Sequence, residues 1–598
     1  MRNFFLKHKI CIILGLILLV GFGLRAYHFS SWLHFELDQA RDARVVDAAL
    51  QGGPGELPLL GPKAGGTFLR LGPAFYNLEY VSALFFGGTP TGMAIFVLIF
   101  SSLSIPLFYS FIRRFFGEWL SLGLTLLFSV SEFFIMYGRF AWNPNFIPFF
   151  VLLGFYALLR AVDESETYRE RWFLLSVGAL ALATQFHFLV FIAVPAIFFA
   201  FLILKRPRYS WKTWLGACAI VFILYLPMAL NEIETGGANT KEFFGAITEK
   251  SSKTNHTFIE KVSRDVSEHG LHALVITTGF EKGTFPTIIF NGGLKWSCTD
   301  KCDQGKWYGV FSVLLFILGI SALLLFWWKE TDQKKKDFLV LSSVWLVITF
   351  GLFLPLSYNI APRFFLLSGL IFFILLGMIF ELLRRVIRHS KAYWIIIVGI
   401  VFFLSYSNVQ SLCERYRELS LAGTEAIDSP PDRILKDRIR VTLEQQNRIV
   451  DMLQKRSQDT GYPVYMFSEP QHRRALKYLM EKRGIENAVL GFDGIYKEGV
   501  YYLVLRAQSD LEDSLKKYRK SYTVGATTHF GTLVAIELLP KPESIMAERQ
   551  DFSITKPSDS KAPPRYTWKE FFERTTGPKT NQDETSLEQS EDEATDQQ

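Results

Sequence analysis

Apolar runs close to the thickness of a lipid bilayer recur through the first 410 residues of this chain, and no other feature limits its fold so strongly. The hydrocarbon core offers the backbone no water, so each run that crosses it does so as a helix. The runs are Ile10–Phe29, Thr91–Ile112, Trp119–Ile135, Asn145–Leu159, Trp172–Leu204, Trp214–Leu230, Trp307–Trp328, Phe338–Leu356, Phe364–Leu383 and Tyr393–Tyr406. Composition agrees: 49% of the 598 residues are hydrophobic and 15% aromatic, with a mean hydropathy of +0.20. The last 190 residues have ordinary charge and few long apolar runs, which predicts a soluble domain and a tail behind a polytopic membrane domain.

Two decisions set the topology. Leu71–Phe86 is short, starts near Gly72-Pro73 and carries Asn77 and Glu79. An ionisable group at mid-bilayer costs roughly 3 kcal/mol on insertion scales, so this segment reads as an interfacial helix. Trp172–Leu204 has basic residues at both ends. Two short crossings that turn near Gln185–His187 keep both basic clusters on one side. The first run is too long for a signal-peptide core and lacks a small-x-small cleavage site, so it reads as a retained span. Eleven spans follow, with a cytoplasmic N-terminus and an extracytoplasmic C-terminus. Arg113/Arg114, Arg160/Arg169/Arg171, Lys205/Arg206/Arg208/Lys212, Lys329/Lys334/Lys335/Lys336 and Arg384/Arg385/Arg388/Lys391 then all face the cytoplasm, as the positive-inside rule requires. These span-end residues account for the net charge of +7 without a nucleic-acid partner.

The expected domains are a membrane domain over 1–412, a soluble extracytoplasmic α/β domain over 413–540 and a disordered acidic tail over 541–598. Within the first, 31–90 forms an outer loop with interfacial helices and 231–306 a large outer loop. In the soluble domain PVYMF, GVYYLVLRA and GTLVAIELL read as strands, and HRRALKYLMEKRG and SDLEDSLKKYRKSY as helices. It has no glycine-rich phosphate loop and no G-x-S-x-G. Cys298 and Cys302 share an outer loop, where a disulfide is the first expectation.

Phe35–Leu50 (FELDQARDARVVDAAL) places three aspartates and two arginines just past the first span. On a helix Asp38 and Asp42 share one side. A carboxylate at the outer membrane face can take a proton from a hydroxyl or amine, and cations beside it can hold a departing phosphate. Transfer from a lipid phosphate needs that pairing. Asp38 is the candidate base, and Asp42 and Glu79 are candidate second carboxylates. Arg139, Arg363, Arg70 and Lys63 are candidate phosphate ligands, all near outer span ends or in the first outer loop. Tyr76, Asn143, Asn145, His187 and Tyr358 are candidate lining residues. No paired D-x-D appears in the first outer loop, so no metal ligand is assigned and participation of a divalent metal is left open.

Several stretches resemble the lipid-carrier-dependent glycosyltransferases of the GT-C fold group, which includes protein O-mannosyltransferases and aminoarabinose transferases. LDQARDA is similar to their D-E-A-R-Y-A type motif, and LPLLGPKAGGTFLRLGPAFYNL to their first-loop segment. RFAWNPNFIP, QFHF and APRFFLLSGL follow in the family's order, so the resemblance covers about 10–410. It implies a GT-C fold, Asp38 as the catalytic residue, a polyprenyl-phosphate-linked sugar as donor, an extracytoplasmic acceptor and a bilayer setting. Gln39 stands where the family has a neighbouring acid, and Asn143 and Asn145 stand where some relatives use an aspartate. The competing reading is a transporter or flippase for a lipid-linked or anionic substrate. That class needs ionisable groups near mid-span, and here the charges cluster at span ends.

Overall fold

The computed structural model describes residues 2–64, 68–250, 256–280, 287–290, 292–297, 306–387, 389–428, 432–437, 439–485, 495–545 and 565–573. Among them nine helices are long and apolar enough to cross a membrane: His8–Ala26, Pro90–Ile112, Asn143–Val162, Phe188–Lys205, Trp211–Glu234, Trp307–Lys329, Gln333–Leu356, Pro362–Val386 and Ser390–Leu421. The shorter helices Glu118–Val130 and Arg169–Ala183 take up the remaining apolar stretches. The Trp172–Leu204 run is therefore split, by a turn before His187. The chain is a multi-pass membrane protein.

Asn143–Val162 and Pro362–Val386 are the most enclosed of the nine, each more than 70% buried. Close approach at the first uses Gly154. A Cβ there would lie 2.3 Å from Leu180 on the helix Arg169–Ala183, and the Ser176 hydroxyl of that helix donates to the Gly154 carbonyl at 2.8 Å. Leu71–Phe86 yields the 13-residue helix Ala74–Phe86, too short to span and packed on Pro90–Ile112. The large outer loop contains the helix Phe258–Thr278, started by a Thr257/Glu260 capping box. It ends at Gly279, whose φ of 64° suits glycine and whose missing Cβ makes room for Asn408. A hairpin, β1 (Thr287–Phe290) and β2 (Leu294–Ser297), follows. The expected Cys298–Cys302 disulfide lies outside the described residues.

The helix Ser390–Leu421 has 32 residues and so extends beyond bilayer thickness into the C-terminal part. There a four-stranded sheet has the order β3-β4-β6-β5, formed by β3 (Val464–Ser468), β4 (Val500–Arg506), β5 (Tyr522–Phe530) and β6 (Leu533–Pro540). β3 pairs parallel to β4, and the other pairings are antiparallel. Helices Leu443–Thr460 and Pro470–Lys482 accompany it. One expectation fails here. The helix read through SDLEDSLKKYRKSY stops at Lys516, and Tyr522 opens the edge strand β5. Within that strand only Tyr522 and Phe530 are buried, and a bulge falls between Val524 and Thr527. The alternation that marks a half-buried strand is thus missing from the sequence.

Residues 565–573 pack against the first outer loop. Thr567 bridges Pro58, the Leu59 N–H donates to Tyr566 O at 2.9 Å, and the Trp568 N–H donates to Leu57 O at 3.1 Å.

Candidate active site

Asp38 lies in the first turn of the helix Leu37–Gly52. Glu36 is its N-cap, and the Glu36 N–H donates to Gln39 Oε1 at 3.1 Å. Gln39 is thus half of a capping box that fixes where the helix, and with it Asp38, begins. The Asp38 carboxylate accepts from Arg41 at 3.0 Å on one oxygen and from the Trp142 indole N–H at 3.0 Å on the other. Its side chain is 36% exposed, so a reactant can reach it. Burial works against its ionisation, but Arg41, Arg363, the Trp142 hydrogen bond and Arg474 together hold it below the ordinary aspartate value.

The neighbouring carboxylates face inward. Asp42 is fully buried, takes Arg41 through both oxygens at 2.9 and 3.1 Å, and accepts from the Tyr76 hydroxyl at 3.1 Å. Burial pushes it up to about 6, against the pull of Arg41. Glu79 is 2% exposed. Burial, with Asp42 beside it, raises it well above the carboxylate range. Asp42 and Glu79 therefore sit behind Asp38 on its Arg41 side, with no open face for a reactant. Tyr76, expected to line the site, belongs to this buried group.

The four candidate cations separate. The Arg363 guanidinium lies 5.4 Å from the ring centroids of Trp142 and Phe364. It has no hydrogen bond or ion pair among the described residues. Trp142 thus links it directly to Asp38. Arg139 is 2% exposed and donates to Arg25 O at 2.6 Å, Leu24 O at 3.3 Å and the Tyr416 hydroxyl at 3.2 Å. It caps the C-terminal end of the first helix, and the structure does not bring it to Asp38. Arg70 is buried, with its backbone paired to the Asn239 amide at 2.8 and 2.9 Å. Lys63 bridges Arg70 and lies over Phe68.

The lining candidates divide in the same way. The Asn143 side chain donates to Phe186 O at 2.6 Å and that of Asn145 to Phe140 O at 2.8 Å, so both hold loops. His187 caps the helix Phe188–Lys205 through Nδ1, and its ring centroid is 5.4 Å from that of Phe364. Tyr358 stacks on His256 at 3.6 Å and lies under Arg264. In QFHF it is Gln185 that ties elements together. Its Oε1 accepts from Ala74 N and its Nε2 donates to Leu224 O.

Sequence reasoning missed three contributors. Trp142 stands inside RFAWNPNFIP, where nothing local marks its indole N–H as a partner of Asp38. Lys436 comes from a turn in which Asp432 Oδ1 accepts from the N–H groups of Ile434, Leu435 and Lys436 at 2.8, 2.6 and 3.1 Å. That turn puts Lys436 at φ 63° and its ammonium 3.4 Å from Ile360 O, in the Arg363 loop. Burial and the nearby Arg363, Arg433 and Arg264 lower its pKa, with Glu268 opposing. Arg474 comes from Pro470–Lys482, which packs on the Asp38 helix. Gln471 reaches Glu36 at 2.9 Å, Lys482 reaches Asp47 at 2.7 Å, and Glu481 accepts from Arg44 at 3.0 Å. The C-terminal domain is therefore built onto the site. Charge pattern alone could not place these residues, because the contacts span about 400 residues of sequence. Among the described residues one group of three metal-type ligands occurs, His34, Glu36 and Asp437.

The family model described as dolichyl-phosphate-mannose-protein mannosyltransferase matches residues 73–230. The fold is similar to the crystal structure of ArnT from Cupriavidus metallidurans bound to undecaprenyl phosphate. That match has a TM-score of 0.53 at 10% identity and covers 90% of this chain and 100% of that one. The archaeal oligosaccharyltransferase AglB from Archaeoglobus fulgidus, in complex with an inhibitory peptide and a dolichol-phosphate, gives a TM-score of 0.48 at 11% identity, covering 91% of this chain and 75% of that one. No curated protein sequence matches significantly. The chain has the GT-C membrane glycosyltransferase fold.

Proposed function

We propose that this protein transfers a sugar from a polyprenyl-phosphate donor to an extracytoplasmic acceptor, with Asp38 as general base. The observation that carries the reading is a half-exposed carboxylate kept ionised, with a guanidinium one indole away, Arg363, that has no hydrogen bond or ion pair among the described residues. The matched family is named for a dolichyl-phosphate-linked sugar, and the ArnT structure holds undecaprenyl phosphate, which supports a lipid phosphate as carrier. The sorting of basic loops supports a cytoplasmic N-terminus and an outward-facing site.

Asp38 accepts the proton of the acceptor hydroxyl or amine. The new bond to the anomeric carbon forms as the bond to the phosphate oxygen breaks, and the electron pair leaves on the phosphate. Arg363 and Lys436 stabilise that charge. One displacement inverts the anomeric centre. Arg41 and Trp142 hold the carboxylate in place, leaving oxygen lone pairs for the incoming proton. Arg139 has no part in this step, since its guanidinium holds helix-end carbonyls.

The test is Asp38→Asn in nanodiscs supplied with labelled lipid-linked sugar. Transfer falls by roughly 10²- to 10⁴-fold, the range for loss of a general base, while donor still binds. Undiminished transfer excludes the base role.

A further inference from the structure

Beside the catalytic aspartate, but without it, a second group of side chains converges. His34 and Glu36 stand on the extended segment that leads into the Asp38 helix, and Asp437 stands on the turn that presents Lys436. His34 Nε2 is 4.0 Å from Glu36 Oε2, and Nδ1 is 4.0 Å from Asp437 Oδ2. One ligand atom from each of the three lies within 4.8 Å of the others. Their side chains are only 13–19% exposed.

Three features point to a cation. First, two carboxylates face one imidazole. Arg440, which acts on Asp437 from nearby, is already paired with Asp432 and Glu418 at 2.8 Å each. Second, neither His34 nor Asp437 has a side-chain hydrogen bond among the described residues, although both are largely withdrawn from water. Third, His472 on the helix Pro470–Lys482 is fully buried, and both its ring nitrogens are unpartnered. It lies within electrostatic reach of Glu36 and His34, and its neighbour Gln471 hydrogen-bonds Glu36. Buried imidazoles seldom forgo both hydrogen bonds unless something else uses a lone pair.

We propose that His34, Glu36 and Asp437, with His472 behind them, bind one divalent cation of the zinc type. Imidazole with carboxylate suits such an ion better than calcium or magnesium, which prefer all-oxygen shells. Ligand atoms about 2.1 Å from zinc in a tetrahedron stand roughly 3.4 Å apart. His34 offers the ion one of its two nitrogens, and the three ligand atoms, which stand within 4.8 Å of one another, close to that spacing by side-chain rotation. Asp38 is not a ligand. The ion joins the first outer loop to the turn that carries Lys436, and Gln471 ties its ligand Glu36 to the C-terminal domain. It therefore acts as a staple that fixes the start of the Asp38 helix relative to the phosphate-facing cations. The site stands whether or not the proposed transferase chemistry is correct.

The test uses the full-length protein in nanodiscs, stripped with chelator and titrated with Co²⁺, then Zn²⁺. Wild type takes up one Co²⁺ per chain at micromolar concentration, shows the visible d–d absorption of a nitrogen- and oxygen-ligated ion, and loses it to Zn²⁺. Asp437→Asn and His34→Gln each weaken binding tenfold or more, whereas His529→Gln, an exposed histidine on β5, leaves it unchanged. Zinc raises the melting temperature of wild type but not of Asp437→Asn. The proposal is overturned if stripped wild type binds no stoichiometric Co²⁺, a result that needs no variant to fold. It is also overturned if Asp437→Asn and His34→Gln bind like wild type.

Discussion

Replacing Arg363 with Gln and Arg139 with Gln gives opposite results, although both arginines sit at the ends of spans beside aromatic residues. Arg363 makes no hydrogen bond or ion pair among the described residues, only ring contacts at 5.4 Å. Its loss costs the fold about 1–2 kcal/mol, the worth of two cation–π contacts at about 0.5–1 kcal/mol each. A charge-assisted hydrogen bond to the donor phosphate contributes about 1.5–3 kcal/mol. At 1.4 kcal/mol per decade, the donor KM of Arg363→Gln therefore rises roughly 10- to 150-fold with little change in melting temperature. Arg139 is 2% exposed and serves two helix-end carbonyls and the Tyr416 hydroxyl. Arg139→Gln leaves those acceptors buried and unpaired, at about 1–3 kcal/mol for each one not rescued by water. Its melting temperature falls and its donor KM holds. The assay is initial rate against lipid-linked sugar in nanodiscs, paired with thermal unfolding of the same preparations. An unchanged donor KM in Arg363→Gln, or a raised KM with normal stability in Arg139→Gln, refutes the assignment.

Trp142→Phe keeps the ring beneath Arg363 but removes the N–H that holds Asp38. Because Asp38 is half-exposed, the loss sits at the weak end of charge-assisted bonds, about 1.5 kcal/mol, and kcat/KM falls roughly tenfold without loss of stability. Arg415→Met takes the guanidinium from the buried Glu132, which among the described residues keeps only the Ser411 hydroxyl and the charge it carries, while Asp432 keeps Arg440. Breaking such a network costs about 3–5 kcal/mol, read as a lower melting temperature. His272, buried against Phe365, has its pKa lowered to about 3 by burial first, with Glu268 opposing. The unfolded chain takes up a proton near pH 6.5 that the folded ring refuses, so stability falls as pH drops from about 6.5 towards 3, by up to about 1.4 kcal/mol per pH unit. His272→Gln removes that component of the acid slope in a melting series.

The membrane part was legible because hydrophobic run length is a local property. Splitting Trp172–Leu204 followed from charge alone, and the turn before His187 falls where that argument put it. Asp38 was legible from its position, and the Glu36/Gln39 spacing of a capping box was present in the sequence as well. Arg139 and Arg363 could not be told apart, because the difference lies in hydrogen-bond partners far away in sequence: Leu24 and Arg25 for one, none among the described residues for the other. Lys436 and Arg474 were invisible for the same reason, each brought in by a turn or helix of the C-terminal part. β5 escaped because an exposed, bulged edge strand carries no alternation.

The central claim is that a lipid phosphate rests between Arg363, Lys436 and the carboxylate of Asp38. The most direct measurement is an experimental structure of Asp38→Asn in a bilayer mimic with a polyprenyl-phosphate sugar bound. The account predicts phosphate oxygens within about 3 Å of the Arg363 guanidinium, with the anomeric carbon turned towards residue 38. A phosphate bound at the basic cytoplasmic loops, or against the first outer loop far from Arg363, would contradict it.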